Sequence, residues 1–186
     1  MCAITQRLIS RKMFAMGIVV SDSSTLIHLA AIGRIDLLRT FFERIVIPPA
    51  VWEEVVVEGR ERAGALEVEQ ARRAGWIEIQ TATNLPLLRL LEHQLDAGEA
   101  QVIALAVEQS ATLILLDESE ARQIAALYNL PKTGTIGILI RAKQEGKIES
   151  LRTELDRLRG PGGFWIEESL YHQALQAVGE KSVVSG

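Results

Sequence analysis

Four acidic residues stand where the apolar pattern of the chain breaks off. Asp22 follows Ile18–Val20, Glu54 lies in I-P-P-A-V-W-E-E-V, Glu99 in L-D-A-G-E-A-Q-V-I-A-L-A, and Asp117 in T-L-I-L-L-D-E-S-E-A-R. Gathered carboxylates suit one chemistry well. Their hard oxygens select Mg²⁺ or Mn²⁺, and Mg²⁺ keeps much of its water shell, leaving room for a phosphate and a nucleophile. Each acid also has an ordinary role. Asp22 can cap the helix after its strand by accepting from first-turn N–H groups. Asp96 with Glu99, and Asp117 with Glu120, have the D-x-x-E spacing of a capping box. A helical Glu such as Glu53 or Glu54 is solvated by default. Ser24 is ordinarily a first-turn residue, and His28 falls on an apolar helix face, a core or rim position. His93 and His172 have no Cys or His at ligand spacing, and the scattered Trp52, Trp76 and Trp165 read as packing.

What could gather these acids is the alternation of short β-rich runs with longer helical patterns. Strands are expected at Ile18–Ser21, Arg44–Ile47, Trp76–Gln80 and Thr112–Leu116, with a weaker one at Leu130–Lys132. Helices are expected over Ser24–Phe41, Pro49–Gly75 with interruptions, Pro86–Gln109, Glu118–Tyr128, Thr135–Gln144, Ile148–Leu158 and Glu167–Val178. Parallel strands need crossovers, usually helical, so the rhythm implies a three-layer α/β/α fold with a mostly parallel central sheet. In such sheets ligands bind beyond the carboxyl ends of the strands. Asp22 and Asp117 both sit just past a strand end. If those two strands are neighbours, the carboxylates face each other across the crevice, and a divalent cation would offset their repulsion.

The 186 residues, 48% hydrophobic and 24% charged, fit one ordinary globular domain with a sizeable core. We expect a single domain over 17–178, an N-terminal extension or misplaced start at 1–16, and a flexible tail at 179–186. Cys2 is the only cysteine, which rules out an internal disulfide and a zinc site built on several thiolates. The N-terminus lacks a secretory apolar stretch and no run approaches a membrane span, so a cytoplasmic protein is expected. The net charge of -4 argues against broad attraction to nucleic acid, while leaving a local basic patch open.

The order D-S-S, I-P-P-A-V-W-E-E-V, G-E-A-Q-V-I-A-L-A, L-L-D-E-S-E-A-R resembles the PIN-domain ribonucleases, which include VapC-type toxins of toxin–antitoxin pairs. The likeness covers about residues 17–145. T-G-T-I-G-I-L at 133–139 and G-F-W-I at 163–166 resemble a prokaryotic subfamily of these proteins more closely still. The resemblance implies an endoribonuclease whose Asp22, Glu54, Glu99 and Asp117 gather Mg²⁺ or Mn²⁺, with Ser24 as a supporting hydroxyl and Glu118 and Glu120 as outer groups. Glu54 is preferred to Glu53 because the family places its Glu three residues after a Val, here Val51. Many members carry Asp where this chain has Glu99 and Glu118. The likeness further implies hydrolysis by water to a 5′-phosphate and a 3′-hydroxyl, a homodimer and a small antitoxin. Arg122 and Lys132 are the basic residues best placed to hold RNA phosphates, with plain solvation as their other reading.

Other readings fare less well. A von Willebrand-type metal module wants D-x-S-x-S, and its fifth position here is Leu26. A haloacid-dehalogenase-type phosphatase wants a second Asp where Ser24 stands. Neither G-x-x-x-x-G-K-[ST] nor G-x-G-x-x-G occurs. The serious rival is a PIN fold without catalysis that binds nucleic acid or protein.

Overall fold

The computed structural model describes residues 17–160 and 163–180. The expected extension at 1–16 and positions 181–186 of the expected tail lie outside them. Five short strands, β1 (Val19–Ser21), β2 (Ile45–Ile47), β3 (Ile77–Ile79), β4 (Leu113–Leu115) and β5 (Lys132–Thr133), form one sheet in the order β3-β2-β1-β4-β5. Every pairing is parallel. Strands β1, β2 and β4 are buried throughout, because helices cover both faces. The result is the expected three-layer α/β/α fold.

The helices are α1 (Ser23–Ala31), α2 (Asp36–Phe41), α3 (Pro49–Trp52), α4 (Ala65–Arg73), α5 (Leu85–Leu91), α6 (Ala97–Glu108), α7 (Ser119–Leu127), α8 (Thr135–Gln144), α9 (Leu151–Arg159) and α10 (Glu168–Ala177). Helix α3 runs into a π-helical stretch, Glu53–Glu58. Two of the long helices expected from periodicity are each two helices. Ser24–Phe41 breaks at Gly33, whose φ of 68° is cheap only without a Cβ. There Gly33 N–H donates to Ala30 O at 2.8 Å and Arg34 N–H to Leu29 O at 2.7 Å, the paired bonds of a Schellman ending. Pro86–Gln109 breaks at Asp96, which starts α6 as its N-cap. Apolar periodicity continued through both breaks because both halves face the same core.

The C-terminal helices are fastened by charge as well as packing. Glu154 on α9 is buried, 3% exposed, and accepts from Arg34 Nη2 at 2.6 Å and Nε at 3.1 Å. That pair ties α9 to the loop after α1. Glu180, assigned to the flexible tail by the sequence reading, is instead held: it accepts from Leu151 N–H at 2.8 Å and Arg152 N–H at 2.9 Å, and pairs with Lys143 at 3.1 Å. It thereby serves the orphan donors of the first turn of α9. Among the described residues, no helix is long and apolar enough to cross a membrane.

Burial works to raise the Glu180 pKa, but the N–H groups of Arg152 and Leu151, and then Lys143, outweigh it and hold the carboxyl at about 2. A depressed carboxyl stabilises the fold above its ordinary pKa and loses that contribution as pH falls through the folded value. Glu180→Gln should therefore cost about 1 to 2 kcal/mol at pH 7. Urea titrations should show the variant and wild type converging as pH falls from 4.5 toward 2.

Candidate active site

Strands β1 and β4 are direct neighbours, with Ser21 opposite Leu115. The connections run outward from this pair in both directions, so the switch point of the sheet lies between β1 and β4. Asp22 N–H donates to Leu115 O at 3.0 Å, which makes Asp22 the last rung of the ladder. Its extended backbone makes it also the N-cap of α1, with Oδ1 accepting from Thr25 N–H at 2.9 Å. Its second oxygen, Oδ2, accepts from Asp117 N–H at 3.1 Å. Cap and partner to the second acid are thus one residue, using its two oxygens separately.

Asp117 is equally enclosed, its side chain 5% exposed. Oδ1 accepts from Thr135 N–H at 2.8 Å, and Oδ2 from Thr135 Oγ1 at 2.5 Å and His28 Nδ1 at 3.0 Å. Burial, and after it the charge of Asp117, push the Asp22 pKa up to about 7, against the lowering effect of the N–H groups of Thr25 and Asp117. Among the described residues, these two buried acids share one edge without a Lys or Arg bonded to either.

The N-terminus of α6 carries Glu99 and has Glu54 close by. Asp96 and Glu99 form the expected capping box: Glu99 N–H donates to Asp96 Oδ1 at 2.8 Å and Asp96 N–H to Glu99 Oε2 at 3.4 Å. Glu54 is exposed, yet its Oε2 lies 3.7 Å from the point a Cβ on Gly98 would occupy, and Asp96 Oδ1 lies 3.3 Å from it. Ala50 N–H, donating to Gln101 Oε1 at 3.2 Å, fixes α3 and the following π-helical stretch against α6. Burial raises the Glu99 pKa first, and the charges of Asp96, Glu118 and Glu120 add to it against the Asp96 N–H. The starts of α6 and α7 therefore share one negative field.

Asp22 and Asp117 thus form a buried pair, whereas Glu54, near Gly98, and Glu99 lie separately at the start of α6. Among the described residues, no three His, Cys, Asp or Glu side chains stand in an arrangement that could hold a metal ion. Donor chemistry still suits a hard cation. Each oxygen of a carboxylate accepts at two positions. Two bonds reach Asp22 and three reach Asp117, which leaves two open acceptor positions on the first and one on the second.

The remaining candidates are dispersed. Ser24 is half-buried in the first turn of α1, while Glu118 is the N-cap position of α7 without a side-chain cap bond, and Glu120 is exposed one turn on. Arg122 spends Nη1 on Leu116 O at 2.8 Å, so it braces the peptide leading into Asp117. Lys132 pairs with Ile114, roughly 10 Å short of the level of Asp117 along the strands. Thr135 and His28 are the site residues that sequence reasoning passed over. Thr135 follows the end of β5, so the strand-end rule that found Asp22 and Asp117 applies to it too; His28 had no signal beyond its helix face.

A family model described as a PIN domain matches residues 18–180. The chain belongs to the PIN-domain family. PIN domains are generally nucleases and typically use divalent metals. No curated protein matches the chain significantly. Within this PIN domain, burial and the neighbouring charge of Asp117 oppose ionisation of Asp22. An acid whose folded pKa is raised stabilises the fold below its unfolded value and loses that contribution as pH climbs through the folded one. Metal-free wild type should lose stability between pH 3.8 and about 7, by up to about 4 kcal/mol. Asp22→Asn should lack that step, and chemical denaturation across this pH range compares the two.

Proposed function

We propose that this PIN domain is a Mg²⁺- or Mn²⁺-dependent endoribonuclease, the toxin of a toxin–antitoxin pair, acting in the cytoplasm. The observation that carries the reading is the Asp22–Asp117 pair: two buried carboxylates at the switch point, with open acceptor positions and, among the described residues, no Lys or Arg side chain bonded to either. Asp22 and Asp117 would hold the ion, with Glu54 and Glu99 completing the set from the start of α6. An ion held by these residues would supply activation of water near neutral pH and compensation of charge at the scissile phosphate and leaving oxygen. The carboxylates orient and neutralise; none attacks the phosphate. Arg122 keeps guanidinium N–H groups beyond the one used on Leu116 O, and these, with Lys132, are the proposed contacts to RNA phosphates. Ser24 supports Asp22, while Glu118 and Glu120 extend the negative field that draws cations in. A homodimer and a small antitoxin that covers the acidic edge complete the proposal.

A second reading keeps the fold and drops the chemistry. It is favoured by one observation, that no three potential ligands are arranged to hold a metal among the described residues. The two readings separate on purified, antitoxin-free protein incubated with structured and unstructured RNAs and matched DNA, with Mg²⁺, Mn²⁺ or chelator. The enzyme should cut RNA at discrete sites, only with metal, leaving 5′-phosphate ends. Asp22→Asn should abolish cutting; its amide oxygen can serve Thr25 N–H or Asp117 N–H but not both, so circular dichroism and denaturant titration give the folded fraction against which the loss is counted. No cutting of any RNA by metal-loaded wild type would leave the binding module standing.

Glu99 provides the finer test. In its capping box a Gln substitutes well, so Glu99→Gln should leave metal-free stability unchanged or raised, as one repulsive charge is removed. Metal at a hundredfold its Kd should stabilise wild type by about 2.7 kcal/mol. Thermal melts across a Mn²⁺ titration should show the variant gaining much less. Equal gains would confine Glu99 to its cap.

A further inference from the structure

T-G-T-I-G-I-L at 133–139 and G-F-W-I at 163–166 take no part in the chemistry proposed above, yet both lead to Asp117. From the first, Thr135 bonds both carboxylate oxygens at once, its backbone N–H on Oδ1 at 2.8 Å and its hydroxyl on Oδ2 at 2.5 Å. From the second, Phe164 meets the His28 ring edge-on, with centroids 4.4 Å apart and planes at 70°, and His28 Nδ1 lies 3.0 Å from Oδ2. Residues from α1, α8 and the segment before α10 thus converge on one side chain.

We propose that Thr135 and His28, the latter held by Phe164, are positioning residues that clamp the Asp117 carboxylate in the orientation that presents Oδ1 to a divalent ion. The inference rests on the proposed metal-dependent activity and goes beyond it. A carboxyl group turns readily about its last torsion, which has only broad, two-fold preferences. Three bonds on two oxygens remove that freedom. Since an ionised carboxylate only accepts, His28 Nδ1 carries the hydrogen, and the clamp is Thr135 N–H, Thr135 O–H and His28 N–H. Both acceptor positions of Oδ2 are filled and one on Oδ1 stays open. The clamp therefore selects which oxygen is offered.

Two further features fit a clamp. The backbone of Gly134 is extended, so its type is set by space: a Cβ there would lie 2.5 Å from Asp117 Oδ1 and 2.7 Å from Leu116 O. Only a residue without a side chain lets the turn into α8 approach closely enough for Thr135 to bond both oxygens. Arg122, on Leu116 O at 2.8 Å, steadies the other end of the same peptide segment. A device that merely joined α8 to the sheet would need one of these bonds; fixing a carboxylate needs the set. Partners that orient ligating carboxylates are worth about 10- to 100-fold in metal affinity.

The test uses the purified full chain and Mn²⁺ itself as probe, with free Mn²⁺ counted by electron paramagnetic resonance. Thr135→Val keeps shape and removes the hydroxyl; Thr135→Ser restores it. His28→Leu removes the ring donor; His28→Asn keeps an N–H near the Nδ1 position. Thr135→Val and His28→Leu should each weaken Mn²⁺ binding by about 10- to 100-fold. The Ser and Asn variants should recover most of the loss, and in RNA cleavage kcat should fall with KM little changed. Denaturant titrations give the folded fraction, so affinity is counted per folded molecule. Should Thr135→Val fail to fold, the His28 pair carries the same comparison at a partly exposed position. Variants that melt earlier but bind Mn²⁺ as tightly as wild type overturn the clamp and leave the nuclease reading intact. Wild type that binds no Mn²⁺ and cuts no RNA overturns that reading, and the clamp with it.

Discussion

The bond from Asp117 N–H to Asp22 Oδ2 is the contact on which the site depends, because it joins the ends of two strands that lie far apart in sequence and adjacent in the sheet. It exists only if β1 and β4 pair in parallel with Ser21 opposite Leu115; a register slip would carry one acid away from the other. Register is secured by burial. Val19, Val20, Ile114 and Leu115 are each completely buried between helical layers, so a one-residue shift would turn apolar side chains out of their places on both faces. The most ordinary part of the chain, its aliphatic strands, therefore determines where its least ordinary carboxylates meet.

That meeting works against stability. Desolvation and the neighbouring charge push Asp22 up to about 7, while the hydrogen bonds it accepts only partly offset them. The chain keeps these bonds modest: backbone N–H groups serve Asp22, and Thr135 and His28 serve Asp117, with no Arg or Lys among the described residues bonded to either. Elsewhere the same protein pairs buried acids with cations readily, as at Glu154 with Arg34. The contrast shows two uses of a buried carboxylate. One is neutralised to fasten helices; the other is left with its negative charge available.

Much of this could be read from the sequence, for identifiable reasons. Four strands were legible because buried parallel strands are short aliphatic runs bounded by polar residues, and Asp22 and Asp117 stood out as the first polar residues past two of them. Their adjacency followed from the sheet topology, which β-α alternation restricts but does not settle alone. The break at Gly33 was hidden because periodicity records which face is buried, not whether the backbone is continuous; the break at Asp96 was signalled by its capping-box spacing with Glu99, which the continuous periodicity outweighed. Thr135 was hidden in a motif noticed only for likeness, since a Thr at the start of a helix carries no strong signal. Glu180 looked like tail because nothing near it in sequence shows that the first turn of α9 needs its carboxylate. For Thr135 and Glu180 the decisive partner was distant along the chain.

The choice between cap and catalyst, open for both Asp22 and Glu99 in the sequence, is less of a choice in the structure. A helix that begins directly after a strand presents orphan N–H groups at the carboxyl edge of the sheet, and an acid placed there to serve them already faces the ligand crevice. Asp22 divides the work between its oxygens: Oδ1 serves Thr25 of α1 and Oδ2 serves Asp117 of the neighbouring strand end. Glu99 caps through a long 3.4 Å bond, weak enough that its carboxylate is only lightly held, and it sits in the field of Glu118 and Glu120. Capping positions the acid and uses only part of its acceptor capacity. Local helix chemistry thus places Asp22 and Glu99, and the sheet topology brings Asp22 beside Asp117.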